Sequence, residues 1–271
     1  MPELPEVETV VRGLRPVMVG RRLARIELHR EGLRRPFPDG LVQRLTGATV
    51  IGIERRAKFG LIATDRDDTL VFHLGMSGRM RLDPPDRGKH DHVVFTMGDG
   101  HTVAFNDVRR FGSLDLVPTA DLAAYPPLVP LGPEPLGPQL TVAYLKAKFA
   151  GRTAPIKPLL LDQRIVAGLG NIYACEALYI AGIDPRRAAG RVSAAKLAKL
   201  VPAIHQTLEA SIAAGGSSLR DHAQVDGTLG YFSKSFCVYG REGEPCPDGT
   251  GMVQRVVQGG RSTFFCPRRQ R

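Results

Sequence analysis

Seven prolines, Pro118, Pro126, Pro127, Pro130, Pro133, Pro135 and Pro138, fall within one short stretch of the chain. Proline fixes φ and donates no backbone hydrogen bond, so neither a long helix nor a central strand runs through such a stretch. Residues 118–138 read as a linker, and they separate two different sequence textures. Before them, short apolar runs stand between turn signals. Examples are Thr49-Val50-Ile51-Gly52-Ile53, Leu61-Ile62-Ala63-Thr64, Thr69-Leu70-Val71-Phe72-His73-Leu74 and His92-Val93-Val94-Phe95-Thr96-Met97. Turns lie at Asp65-Arg66-Asp67-Asp68, Pro84-Pro85-Asp86 and Gly98-Asp99-Gly100. That alternation predicts a β-sandwich or barrel over residues 21–118.

After the linker the pattern becomes helical. Thr141 caps a short helix ending near Gly151, and a second runs from Pro158 to Arg164. A third opens at Asn171 after the Gly168-Leu169-Gly170 turn. Ser193 caps a fourth that ends at Gly215-Gly216, with a kink or restart expected at Pro202. Residues 236–271 return to strand-and-turn composition. The predicted class is α+β, with domains at 1–117, 139–235 and 236–271 around the linker 118–138.

The chain is 271 residues long with a formal charge of +10. The excess is arginine-rich and spread along the sequence, which points to a polyanionic partner, nucleic acid first, or to a generally basic proteome. No apolar run approaches the roughly 18–20 residues of a membrane span. The start is acidic and lacks an apolar signal core, so no export signal is expected. Four cysteines do not make a disulfide scaffold in a chain of this size, and a reducing cytoplasm fits best.

The first six residues are Met1-Pro2-Glu3-Leu4-Pro5-Glu6. If Met1 is removed, Pro2 presents a secondary amine. An α-amino group titrates well below a lysine ammonium, so more of it is neutral and nucleophilic near pH 7. Such an amine adds to a masked aldehyde to form an iminium ion, and Glu3 beside it can pass a proton. Val7, Val10, Val11 and Leu14 make one apolar helix face, with Pro5 in its first turn. Pro2 then sits beside the positive helix end, which disfavours its protonated form. The bland alternative is that Pro2 only permits Met1 removal and the helix only packs.

Residues 157–180 read as two helices joined by a glycine turn. Gly170 and Asn171, at the start of the second, suit a phosphate clamp with Lys157 nearby, unless this is an ordinary helical hairpin. His90 and His92 could share one strand face, but no third ligand lies near. A phosphate or structural role is expected for His92 rather than a metal.

Together these segments resemble one family, the bacterial formamidopyrimidine-DNA glycosylases of the Fpg/Nei (helix-two-turn-helix, H2TH) superfamily. The resemblance covers nearly the whole chain. It rests on Pro2-Glu3-Leu4-Pro5-Glu6-Val7-Glu8-Thr9, Arg55-Arg56-Ala57-Lys58-Phe59 and His73-Leu74-Gly75-Met76-Ser77-Gly78. It continues through Lys89-His90-Asp91-His92, Asn106-Asp107-Val108-Arg109-Arg110-Phe111-Gly112, Leu131-Gly132-Pro133-Glu134-Pro135-Leu136 and Gly170-Asn171-Ile172-Tyr173-Ala174. It ends with Val238-Tyr239-Gly240-Arg241-Glu242-Gly243 and Gly259-Gly260-Arg261-Ser262-Thr263. Leu4 and Val7-Glu8-Thr9 favour the oxidised-purine branch over the endonuclease VIII branch.

The resemblance implies a base-excision-repair glycosylase with apurinic/apyrimidinic lyase activity. Pro2 would attack C1′ through a Schiff base, Glu3 would open the deoxyribose ring, Lys58 would lie near the damaged nucleotide's phosphate, and the strand would break by β,δ-elimination. The flipped base leaves a gap that Met76, Arg109 and Phe111 would fill, with Phe111 as the wedge and Arg109 facing the orphaned cytosine. Taken singly, Met76 and Phe111 also suit a core, and Arg109 and Lys58 a solvated surface. Gly215-Gly216-Ser217-Ser218-Leu219-Arg220-Asp221 matches the base-recognition loop, with Arg220 where many relatives have lysine. Duplex DNA carrying oxidised bases or abasic sites would lie in a basic cleft between the domains, bound by a monomer in the bacterial cytoplasm. The alternatives are an oxidised-pyrimidine enzyme of the same superfamily and a lesion-binding protein that does not cut.

The family's C-terminal finger pairs two Cys-x-x-Cys motifs on zinc. Here Gly249 and Arg269 replace the second cysteine of each pair, leaving Cys246 and Cys266. The expectation is therefore a zincless hairpin with no cofactor, held by packing of Val253, Val256, Val257, Phe264 and Phe265. A Cys246–Cys266 disulfide is a second way to close it, and a Cys237/Cys246/Cys266/Asp248 metal site a third. Arg261 at the hairpin would contact phosphates.

Overall fold

Leu4–Met18 form a helix, α1, and its buried face carries Leu4, Val7, Val10, Val11, Leu14 and Val17. This is the computed structural model of the chain, which describes residues 2–217, 225–228 and 230–271. The start of α1 is fixed by a reciprocal capping box, in which the Glu3 backbone N–H donates to Glu6 Oε2 at 2.8 Å. The other Glu6 oxygen accepts from the Ser217 backbone N–H and hydroxyl, each at 2.9 Å.

Two compact units divide the chain, Met1–Val129 with Ile212–Ser233, and Pro130–Ser211 with Lys234–Arg271. In the first unit, β1 (Leu23–Leu28), β6 (Asp91–Met97), β7 (Thr102–Asp107) and β5 (Gly78–Leu82) form one antiparallel sheet in that order. A second contains β2 (Val50–Arg56), β3 (Phe59–Thr64), β4 (Asp68–His73) and β8 (Ser113–Pro118). Ile26, Val93, Phe95 and Phe105 from one sheet, Ile53, Ile62 and Phe72 from the other, and the α1 valines share one core. Burial of each large side chain contributes roughly 1.5–3 kcal/mol, and that holds the sandwich closed. A short helix, α2 (Leu41–Leu45), interrupts the strand-rich region.

The proline segment is not a free spacer. Its first part continues the first unit, where Leu122, Tyr125 and Leu128 pack on Leu61, Val71 and Val117. Its second part joins the second unit, where Gly132 N–H donates to the Gln163 carbonyl at 2.8 Å and the Pro133 carbonyl accepts from Ala167 N–H at 3.1 Å. Residues 212–233 return to the first unit, with Val225 in its core.

The second unit contains α3 (Val142–Phe149), α4 (Ile156–Leu160), α5 (Asn171–Ala181) and most of α6 (Ala194–Ala213). Thr141 Oγ1 caps α3, accepting from Tyr144 N–H at 3.1 Å. Helix α4 is displaced from the predicted 158–164. It ends early because Gln163 ties the loop, donating to the Leu161 and Leu169 carbonyls at 3.0 and 2.9 Å. Of the kink or restart expected at Pro202, the restart does not occur. Helix α6 runs through it, with Leu197, Leu200, Ala203, Ile204 and Leu208 forming a buried stripe on both sides. Packing of that stripe outweighs the one hydrogen bond proline removes. No helix among the described residues is long and apolar enough to cross a membrane.

The chain ends in a hairpin of β9 (Gln254–Gln258) and β10 (Arg261–Phe265). Its two-residue turn has Gly259 at φ 55° and Gly260 at φ 74°, the positive values that suit a tight hairpin turn. The predicted packing is corrected in part. Val253, Phe264 and Phe265 are buried, but Val257 is 67% exposed and Val256 lies on the same strand with only partial burial. A Cys246–Cys266 disulfide, Cα atoms 6.1 Å apart, closes the base instead.

Candidate functional site

Pro2 and Glu3 are buried at the amino end of α1, and Glu3 is 3% exposed. Helix α1 packs on β2 and β3 and is locked to them by charge. Arg15 Nε donates to the Ile53 carbonyl at 2.8 Å, and Arg55 Nε pairs with Glu8 at 2.9 Å. Two residues, Ala57 and Lys58, join β2 to β3, and Ala57 takes the left-handed φ of 53°. That turn places Lys58 in a buried position, 7% exposed. Burial first, then the Lys58 charge, push the His73 imidazole down to about 4, so its ring is neutral. A neutral ring keeps an acceptor, and Nδ1 takes the Gly75 N–H at 3.0 Å.

Gly75, at φ 61°, lies against the backbone of a second loop. A Cβ there would stand 2.4 Å from the Phe111 carbonyl carbon. Asp107, fully buried at the end of β7, binds both loops together. Its Oδ1 accepts the Ser77 hydroxyl at 2.6 Å and its Oδ2 accepts Gly112 N–H at 2.8 Å, while Ser77 Oγ accepts Arg109 N–H at 3.0 Å. Between these anchors Arg110 is forced to φ 59°. The loops therefore present Met76, Val108 and Phe111 to solvent, 37%, 55% and 43% exposed. The Arg109 guanidinium stacks 4.8 Å from the Phe111 ring centre. Met76, Arg109 and Phe111 thus stand on loops that meet, and the exposure of two large apolar side chains excludes the core reading for them.

His92 is placed differently from a phosphate ligand. It is 6% exposed, its Nε2–H donates to the Asp107 carbonyl at 2.8 Å, and desolvation lowers its pKa. It supports the Asp107 anchor from behind, and the phosphate role is withdrawn in favour of the structural one.

In the second unit, Gly170 precedes α5 in extended conformation and Asn171 opens it. Asn171 Nδ2 donates to the Ser262 carbonyl at 2.9 Å, next to exposed Arg261. Lys157 presents no exposed charge for a phosphate. It is 0% exposed, and its Nζ donates to Asn171 Oδ1 at 2.6 Å, Thr263 Oγ1 at 2.7 Å and the Ser262 carbonyl at 3.2 Å. The direct contact is corrected to a positioning role, in which Lys157 and Asn171 pin β10 and thereby Arg261. Arg220 lies outside the described residues.

The residues around the finger do not fit a four-ligand metal. The disulfide takes both sulfurs of Cys246 and Cys266, and Cys237 and Cys175 stay outside it. No group of three or more His, Cys, Asp or Glu side chains suited to a metal occurs among the described residues.

Sequence reasoning assigned no role to His73, Ser77, Asp107, Glu6 or Glu176. Glu176, 2% exposed on α5, accepts the backbone N–H groups of Cys237, Val238 and Tyr239 at 2.7, 3.0 and 2.8 Å. A buried acid lying inside an apolar helix pattern was the one signal that could have pointed to it.

The formamidopyrimidine-DNA glycosylase N-terminal domain matches residues 1–114, and the formamidopyrimidine-DNA glycosylase H2TH domain matches residues 131–223. A formamidopyrimidine-DNA glycosylase of Novosphingobium aromaticivorans is 63% identical over 271 residues, covering 100% of both chains. The crystal structure of the MutM (Fpg) protein from Thermus thermophilus aligns with a TM-score of 0.89 at 39% identity, over 99% of this chain and 98% of that one. The wild-type Lactococcus lactis Fpg, solved in complex with an N7-benzyl-Fapy-dG containing DNA, aligns with a TM-score of 0.91 at 35% identity over 100% of both. The chain belongs to the formamidopyrimidine-DNA glycosylase family.

Proposed function

We propose that this chain is a base-excision-repair DNA glycosylase and abasic-site lyase acting on oxidised purines, 8-oxoguanine and formamidopyrimidines. The observation that carries the reading is the burial of Pro2 and Glu3 side by side at the capped amino end of α1. With Met1 removed, the Pro2 nitrogen attacks C1′ of the damaged nucleoside and the bond to the base breaks. Glu3 protonates the ring oxygen and the sugar opens to an iminium ion, which acidifies the C2′ proton. Loss of that proton expels the 3′ phosphate, and a second elimination expels the 5′ phosphate. Lys58 supplies positive charge beside the reacting nucleotide.

Duplex DNA is the partner. Phe111 and Met76 enter the stack where the base has left, with Arg109 at the opposing base. The backbone N–H groups at Gly170 and Asn171 and the side chain of Arg261 hold phosphates, Arg220 serves the base-recognition loop, and no metal takes part. The bacterial cytoplasm is the proposed compartment. Parallel excision assays on duplexes with 8-oxoguanine or thymine glycol test the substrate class. Faster release of 8-oxoguanine is expected. Faster release of thymine glycol would move the enzyme to the oxidised-pyrimidine class, and release of neither would leave a binding protein.

A further inference from the structure

The two knuckles of the C-terminal finger are bridged twice, by bonds of different kinds. Cys246 and Cys266, the first cysteine of each knuckle, form the disulfide. The second positions hold Gly249 and Arg269. Arg269 Nη1 pairs with Oδ2 of Asp248, the neighbour of Gly249, at 3.2 Å. Its Nε donates to the Tyr179 carbonyl at 3.1 Å, and its guanidinium stacks 4.6 Å from the Tyr179 ring centre. A covalent and an ionic link therefore span the positions that two pairs of thiolates would occupy around a metal.

The disulfide is sealed from solvent, with Cys246 3% and Cys266 0% exposed. Its closed loop joins residues 20 apart and contains the whole β9–β10 hairpin, Arg261 included. All four cysteines of the chain meet in one apolar cluster with Val238, Val253 and Phe264. Most disulfides in a reducing compartment are transient or redox-sensing rather than structural.

We propose that Cys246 and Cys266 form a redox-responsive closure of the finger: oxidation by a low-molecular-weight disulfide locks the hairpin that carries Arg261, and reduction loosens it, without metal. The DNA-binding consequence rests on the function proposed above; the closure does not. In the forward step, one cysteine thiolate attacks glutathione disulfide and expels a glutathione thiolate. The second cysteine, as its thiolate, displaces the other glutathione from the mixed disulfide. Two protein thiols and one glutathione disulfide become one protein disulfide and two glutathione thiols. Burial of the product means that reduction requires the hairpin to open first. Burial, then the nearby Glu176 carboxylate, push the Cys237 thiol up to about 11, so the adjacent thiol stays protonated and scrambles the bond slowly.

The test equilibrates the full-length protein across a series of glutathione ratios with a chelator present throughout. Alkylation and mass analysis count the thiols, limited trypsin digestion reports the opening of the hairpin, and affinity is measured on a tetrahydrofuran-containing duplex. The closure requires two alkylated thiols in the oxidised protein and four in the reduced one, out of the four cysteines present. Cleavage after Arg255 or Arg261 should be faster in the reduced protein. Affinity should fall about tenfold, the scale of losing one or two phosphate contacts. Cys246→Ser should fix cleavage and affinity at the reduced values at every ratio. If that variant does not fold, the reversible cycle of the unaltered protein decides the matter. Four thiols at every ratio, or equal cleavage rates in both states, would overturn the closure. So would one tightly bound zinc per chain that restores protection to the reduced form in a parallel series with zinc added and the chelator left out. A thiol and cleavage response without duplex binding in either state would uphold the closure and overturn the glycosylase reading.

Discussion

The Lys157 ammonium donates to the Asn171 side-chain oxygen at 2.6 Å, with Lys157 completely removed from solvent. The same ammonium reaches Thr263 and the Ser262 carbonyl on β10. One buried cation thus ties the amino end of α5 to the strand that begins with Arg261.

Lys157→Met should destabilise the protein by about 2–3 kcal/mol, because it leaves buried acceptors without their charged donor. Denaturant unfolding checks this. Duplex affinity should weaken with the salt dependence unchanged, since no phosphate contact is lost. A reduced salt slope would show that Lys157 touches a phosphate directly.

Arg261→Ala should behave in the opposite way. Arg261 is exposed, so unfolding should shift by less than about 0.5 kcal/mol. The slope of log affinity against log salt should fall by about one, the signature of one phosphate contact removed. An unchanged slope would refute the phosphate role.

Phe111→Ala and Asp107→Ala should separate presentation from support. Phe111 is 43% exposed and its loss should slow excision with little change in stability. Asp107 is fully buried and holds Ser77 and Gly112, so its loss should cost about 2–3 kcal/mol as well as activity. Equal unfolding midpoints for the two variants would contradict this assignment.

His73 gives the fold a pH dependence. Its folded pKa of about 4 lies below the ordinary 6.5, so folding favours the neutral ring. Above pH 6.5 both states are neutral and nothing is lost. As pH falls from 6.5 toward 4, the unfolded chain takes up a proton that the folded one refuses, and stability drops by a term on the order of 2 kcal/mol. His73→Gln should flatten that part of the stability profile when compared with the unaltered protein.

Much of this was legible in the sequence because it is local. The α1 stripe, the Asn171 helix start and the Thr141 cap each follow from residues a few positions apart. What was illegible depends on distant partners. Lys157 reads as a neighbour of a phosphate clamp until Thr263 is found beside it, and His92 reads equally as a phosphate-binding or a structural residue until its bond to Asp107 is seen. Pro202 leaves a restart open in the sequence because the packing on both sides of α6 is not a local property. The finger is the sharpest case, since the motif revealed the loss of two cysteines but not that Asp248 and Arg269 would pair across the gap.

Borohydride trapping on a duplex with 8-oxoguanine opposite cytosine tests the central claim most directly, using protein shown by mass to begin at Pro2, with Pro2→Gly as control. A covalent protein–DNA complex is expected, much reduced in the control. No complex from the unaltered protein, or an equal yield from the control, would contradict the assignment of the Pro2 amine as nucleophile.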